Sequence, residues 1–200
     1  MVILLNPNRT AVLSIDLQAG IVALYAKEQP DLIPRAAEVL QTARASGMAV
    51  LHVQVGFRPG LPEVHPRNPL LGAILSSPQH QQLFQGPGGA IHPALGPEET
   101  DIVITKHRVS AFTGTDLDMI LRAKEIDTLI LFGIATSGVV LSTLLGASDA
   151  DYRVMVVKDC CLDMDRDLHA CLTDKLFPRR ATVLTADELL QRIAISSPSA

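Results

Sequence analysis

The 200-residue chain has few charged and aromatic side chains, and its apolar residues never form one long run. Aromatic residues make up 4% of the sequence, tryptophan is absent, and the formal net charge is −4. The missing basic excess argues against nucleic acid as a partner, because few cations remain to neutralise phosphates. The apolar runs fall short of the roughly 20 residues that span a membrane, so no membrane partner is expected. The N-terminal residues lack the basic flank and apolar core of a signal peptide, and only the final SSPSA resembles a disordered tail.

Cysteine is scarce and clustered, since Cys160, Cys161 and Cys171 lie within twelve positions. An odd, clustered count is not typical of a secreted disulfide framework and favours a reducing, cytoplasmic setting. No second cysteine pair and no histidine pair has the spacing of metal ligands, so no metal is expected. The chain also lacks a dinucleotide-binding glycine motif, a Walker A loop and the elbow of serine hydrolases. We therefore expect no cofactor.

Short apolar runs alternate with segments of helical character. Continuous apolarity rich in valine and isoleucine is typical of parallel strands that are covered on both faces. The pattern predicts an α/β fold of three layers, α/β/α, with a parallel sheet of about six strands, in one domain over residues 1–200. The predicted strands are residues 11–15, 48–55, 102–104, 128–132, 154–157 and 181–184.

Two of the predicted helices have sharp boundary signals. Asp31 begins a helix that Gly47 ends, and Thr185 with Glu188 forms a capping box; Thr115 with Asp118 resembles a weaker one. A third helix is predicted over residues 137–150, where the side chains are small and apolar.

Residues 56–100 interrupt this alternation with clusters of glycine and proline. Such an insertion is typical of a lid, a binding loop or an oligomer contact; the alternative is a surface excursion with one short helix near residues 79–85.

Polar residues at the ends of the predicted strands indicate where a ligand would bind, because ligands of open α/β sheets lie at the carboxyl ends of the strands. Asp16 ends the first run, and Lys106, one of only five lysines, ends the third. If their strands are neighbours, they face one cavity and place a proton acceptor beside a cation. The alternatives are a helix cap for Asp16 and a solvent-reaching strand end for Lys106.

The turn after the fourth run, residues 133–138, consists of small and hydroxylated residues. Backbone N–H groups of Ile134, Ala135, Thr136 and Gly138 could bind an anion or a developing oxyanion. The alternative is a tight strand-to-helix turn without a ligand.

Three stretches together resemble the isochorismatase-like hydrolases, the cysteine hydrolase superfamily that includes nicotinamidases. They are AVLSIDLQ (residues 11–18), TKHRVSAF (residues 105–112) and GIATSGVVLST (residues 133–143), and their order and spacing agree from about residue 9 to 185. The resemblance implies that Asp16 is the acid/base carboxylate and Lys106 its cationic partner. It also implies a cis peptide at Ile134–Ala135, which aims backbone N–H groups at the substrate, and a homo-oligomer.

The sequence departs from this family at the nucleophile, whose position holds Val139. Valine cannot attack a carbonyl, so the thiol route to amide hydrolysis is closed, and nicotinamidase activity is not expected. The metal motif of nicotinamidases is also missing, since the corresponding strand reads His52-Val53-Gln54. The resemblance offers a precedent, because isochorismatases lack the cysteine and hydrolyse a vinyl ether with the aspartate as proton donor.

Two functions therefore stay open. One is hydrolysis of a small metabolite by Asp16 and Lys106 without a thiol; the other is a non-catalytic protein that binds a small ligand or serves assembly.

Further interpretations concern the pocket. Phe112 and His52 are predicted to line it, with Phe57 as a further wall, and Arg58 or Arg108 to meet a substrate carboxylate. A nucleophile relocated to Cys160 or Cys161 would need a thiol near Asp16.

Overall fold

The apolar runs form one parallel sheet in the computed structural model, which describes residues 5–196. Within these residues the sheet has six strands in the order β3-β2-β1-β4-β5-β6, and every neighbouring pair is parallel. All residues of β1 and β4 are buried, as continuous apolarity predicts for central strands. Each predicted run is confirmed, with the bounds Thr10–Ile15 (β1), Ala49–Val55 (β2), Ile102–Lys106 (β3), Thr128–Gly133 (β4), Arg153–Val157 (β5) and Thr182–Leu184 (β6). The first four and last four residues, including most of the SSPSA tail, lie outside the described residues.

Helices pack on the sheet and complete the predicted α/β/α layers. The second helix buries one stripe, with Ala36, Val39, Leu40 and Ala43 at three- to four-residue spacing, which is the period of a helix lying on a sheet. None of the described helices is both long and apolar enough to cross a membrane. The helices are Ala19–Tyr25 (α1), Leu32–Ala45 (α2), Pro69–Leu75 (α3), Pro78–Gln82 (α4), Gly86–Gly89 (α5), Leu117–Ala123 (α6), Leu141–Asp149 (α7), Arg166–Cys171 (α8) and Ala186–Ser196 (α9).

One of the two predicted capping boxes forms. The Thr185 N–H donates to Glu188 Oε2 over 2.8 Å, and the Glu188 N–H donates back to Thr185 Oγ1. The box predicted at Thr115 and Asp118 is wrong, because α6 begins only at Leu117 and Asp118 therefore stands too early in the helix to reach back. Thr115 instead donates its hydroxyl to Ala111 O.

Residues 56–100 are ordered by a small hydrophobic cluster of their own. Leu61, Val64, Leu71 and Ile74 are buried together, apart from the core under the sheet. The segment holds three short helices rather than the single one expected near residues 79–85, and α4 ends before that range does. Buried Gln18 ties it to the sheet, because its side-chain amide donates both to Val55 O and to Gly89 O. The insertion is thus attached to the sheet at the carboxyl ends of β1 and β2.

The strand order reverses between β1 and β4, and this reversal opens a crevice at their carboxyl ends. Gly133 closes β4 there with a φ of 149°. A β-carbon at this position would overlap Ile15 O, so only glycine lets the two strand ends meet.

We expect Gly133→Ala to lower the free energy of unfolding by about 4 kcal/mol, at the high end for one substitution, because backbone must move to admit the methyl group. Denaturant unfolding measures it. Gly47→Ala is the matched control: Gly47 also has positive φ, 79°, but open space around it, so we expect about 1 kcal/mol. Equal losses in the two variants would contradict the contact with Ile15.

Candidate active site

Asp16 and Lys106 form an ion pair in the crevice beside the carboxyl end of β1. Lys106 Nζ donates to Asp16 Oδ2 over 2.8 Å. The side chain of Lys106 is 2% exposed and that of Asp16 is 6% exposed. Their strands are not neighbours, since β2 lies between β1 and β3, so the condition stated for the pair is not met although the two side chains do meet. The long lysine side chain bridges this spacing of about 10 Å. Its ammonium also donates to Arg108 O over 3.1 Å.

Burial dominates the electrostatics of this pair. Removal from water raises the pKa of the Asp16 carboxyl above its ordinary value, and the nearby Lys106 ammonium opposes that rise without cancelling it. Asp16 Oδ1 is buried and has no hydrogen-bond partner within residues 5–196. Lys106 therefore engages one oxygen of the carboxyl and leaves the other unengaged.

The pair lies against a cavity of about 590 Å³. Val139, which the resemblance of the sequence motifs predicts to be at the position of the nucleophile, lines the same cavity. The insertion supplies much of the opposite wall, including Ile74, His80 and Phe84. The sequence reasoning named none of these three, although the glycine and proline clusters did indicate a binding loop.

The turn after β4 lines the cavity with Ile134, Ala135 and Gly138, and the Ile134–Ala135 peptide is cis, as the resemblance implies. Most of its backbone donors are already used: the Ile134 N–H donates to Ile15 O, and the Gly138 N–H to Ala135 O. The Ala135 N–H has no acceptor among the described residues, and Ala135 lines the cavity.

Three residues predicted near the ligand lie elsewhere. Thr136 is fully buried, gives its N–H to Leu162 O and hydrogen-bonds His169 through its hydroxyl. His52 is buried on the opposite face of the sheet, between Ser14 Oγ at 2.7 Å and Asp101 Oδ2 at 3.1 Å.

Phe112 is likewise not part of the cavity wall, because its ring packs on Tyr152 with 5.9 Å between centroids and meets α7 at Gly146. The predictions that His52 and Phe112 line the pocket are corrected accordingly, and so is a ligand-facing Thr136.

Neither Cys160 nor Cys161 lines the cavity that holds Asp16. Cys161 faces a separate polar cavity of about 610 Å³, which contains neither Asp16 nor Lys106. Burial raises the pKa of both thiols, that of Cys161 to about 12, so the reactive thiolate is scarce. The idea of a relocated cysteine nucleophile therefore fails. Among the described residues no group of three or more His, Cys, Asp or Glu side chains is placed to hold a metal ion.

Comparison with known proteins identifies the family of the chain. Residues 10–188 match the isochorismatase domain. The chain belongs to the isochorismatase family. Its relatives in this family include hydrolases, and the resemblance drawn from the three sequence motifs is confirmed.

Individual relatives cover nearly the whole chain. The isochorismatase family protein YecD of Escherichia coli O157:H7 is 31% identical over 191 residues, which are 94% of this chain and 98% of YecD. Maleamate amidohydrolase of Pseudomonas putida is 27% identical and covers 93% of this chain and 87% of its own length. A solved isochorismatase family protein of Burkholderia thailandensis superimposes with a TM-score of 0.80 at 32% identity, covering 96% of this chain and 98% of the other.

We expect Lys106→Met to destabilise the fold by about 3–5 kcal/mol near neutral pH, because it leaves a buried carboxyl without its cation. In this variant the pKa of Asp16 in the folded protein is even higher than in wild type. The difference in the free energy of unfolding between wild type and variant therefore grows as pH rises above the ordinary carboxyl range, and it shrinks at low pH. Denaturant unfolding from about pH 4 to pH 8 measures this. Arg122→Met, which removes an exposed pair with Asp118, serves as control and should change stability little at any pH.

We also expect a cysteine at position 139 to be alkylated from the cavity. Val139→Cys and the control Val140→Cys are made in a Cys171→Ser background, because Cys171 is an exposed free thiol. Val140 is fully buried and not part of the cavity wall. Mass spectrometry after iodoacetamide treatment should find the label at position 139 and not at 140; equal labelling of both would show that Val139 does not face the cavity.

Proposed function

We propose that this protein hydrolyses a small metabolite by acid–base chemistry of Asp16, paired with Lys106, without a covalent thioester. The observation that carries the proposal is a buried carboxyl with a raised pKa, held beside a cation at a cavity that Val139 also lines. General acids work best when their pKa is tuned toward the working pH, and burial moves Asp16 in that direction.

The reaction begins with protonated Asp16. Asp16 gives its proton to the double-bond carbon of a vinyl-ether substrate, and a water molecule adds to the neighbouring, now electron-poor carbon that bears the ether oxygen. The surplus proton of the added water returns to the Asp16 carboxylate, which leaves a hemiketal. The bond from that carbon to the ether oxygen then breaks: the hydroxyl proton moves to the ether oxygen, the alcohol leaves, and a carbonyl compound remains. One water is consumed and the acid is regenerated. While Asp16 is ionised, the Lys106 ammonium stabilises it at 2.8 Å, and the free Ala135 N–H can donate to an oxygen that gains negative charge.

This scheme favours bonds that break after protonation, such as the vinyl ether of the family precedent, over amides that need attack by a thiol. Maleamate amidohydrolase shows that relatives act on amides, so amides belong in the substrate panel. We propose a cytoplasmic setting and self-association as further features; the three free thiols support the former.

Turnover of a panel of vinyl ethers, amides and esters tests the proposal. We expect Asp16→Asn to lower the rate about 10²- to 10⁴-fold with the fold intact, because the asparagine cannot donate a carboxyl proton. In wild type the rate should fall as pH rises through the pKa of folded Asp16. Lys106→Met should move that fall to higher pH, since the opposing cation is gone.

Asp127→Asn is the control, because this carboxylate pairs with Arg9 outside the cavity and should leave turnover unchanged. Full activity of Asp16→Asn would overturn the assignment. A wild-type protein that binds small ligands yet converts no member of the panel would be the non-catalytic alternative.

A further inference from the structure

Arg108 is a cation without a carboxylate partner at the cavity. Its guanidinium donates only to His107 O, a backbone carbonyl, and it forms no ion pair within residues 5–196. Arg108 is exposed and lines the cavity, so it stands at the mouth. Arg58, the other candidate from the sequence, is paired with Glu63 and is not part of the cavity wall.

Two contacts place the backbone at Arg108 between the ion pair and the turn after β4. The Lys106 ammonium donates to Arg108 O over 3.1 Å. The next residue, Val109, comes within 4.0 Å of where a β-carbon on Gly138 would lie. The backbone at Arg108 therefore lies close to both the ion pair and the turn.

The charge and polarity of the wall limit what can bind. Among the wall residues that the structure describes, Asp16 is the only acidic one, and it is paired with Lys106, so Arg108 gives the cavity an excess of positive charge. Most of the remaining wall is apolar, with Leu71 and Phe84 as examples. A cavity of about 590 Å³ lies in the range of small-molecule sites and does not admit a macromolecule.

We infer that the cavity selects a small carboxylate with an apolar body, whose carboxylate is held by the Arg108 guanidinium. The planar guanidinium offers two parallel N–H donors to a carboxylate, which a lysine cannot do. The apolar body rests on the wall supplied by the insertion, and the reacting bond lies toward Asp16. The inference relies on the proposed function for the statement that this cavity is where substrate binds.

Binding of matched probes tests the selectivity without any turnover. The probes are 3-phenylpropionate and its neutral isostere 3-phenylpropionamide, titrated at millimolar concentration into the full-length protein and followed by NMR shifts. We expect wild type to bind the carboxylate more tightly than the amide. Arg108→Gln should weaken carboxylate binding about 10- to 100-fold and leave amide binding nearly unchanged. Arg58→Gln, the matched control, should behave as wild type.

The outcomes separate this inference from the proposed function. Asp16→Asn should keep the preference for the carboxylate while losing turnover. If Asp16→Asn keeps turnover and Arg108→Gln still loses carboxylate binding, the acid–base proposal fails and the anion site stands. If wild type binds neither probe, binds both equally, or loses both equally in Arg108→Gln, the inference is overturned whatever the turnover data show.

Discussion

The ion pair between Lys106 and Asp16 is the constraint on which the rest of the site depends. Burying one charged side chain away from water is costly unless an opposite charge is paired with it. The carboxyl ends of β1 and β3 must therefore lie at the same height on either side of β2, so that Lys106 can reach Asp16. The backbone enforces this alignment: the Asp16 N–H donates to Val53 O over 2.8 Å, and the Gly56 N–H donates to Lys106 O over 3.1 Å. Asp16 itself takes a positive φ of 56°, which turns the chain away from the strand and into the crevice. The same burial that makes the pair obligatory also raises the pKa of the carboxyl.

The chemistry and the shape of the cavity come from different parts of the chain. The reversal of strand order opens the crevice and brings the turn after β4 beside Asp16, where Gly133 permits the close approach. The insertion adds a wall with its own hydrophobic cluster, fixed to the sheet by Gln18. A scaffold of this kind can keep its buried ion pair while the wall varies, because connecting segments tolerate sequence change better than the elements they join.

The errors of the sequence interpretation have a common geometric origin. His52 was placed near the ligand because it lies late in a strand, but side chains of a strand alternate between faces. Val55 lies beside Lys106 in the register and His52 three residues before it, so His52 points to the opposite face, toward Ser14. Phe112 lies in one of the motifs that resemble the family, but its ring packs against α7 at Gly146 and not against the cavity. The position of a residue along its strand predicted whether it lies near the carboxyl ends of the strands. It did not predict which face of the sheet the side chain is on.

The sequence by itself determined the strands and their parallel packing, the helix boundaries at Gly47 and Thr185, the family, and the polar residues at the carboxyl edge. These follow from local periodicity, local turn chemistry and motif spacing, which need no knowledge of distant contacts. Only the tertiary structure decided that Lys106 reaches Asp16 across an intervening strand, that burial outweighs the lysine in raising the carboxyl pKa, and that Arg108 rather than Arg58 is free at the cavity. Each of these depends on how completely water is excluded by residues far apart in the chain, and on which partners those residues find.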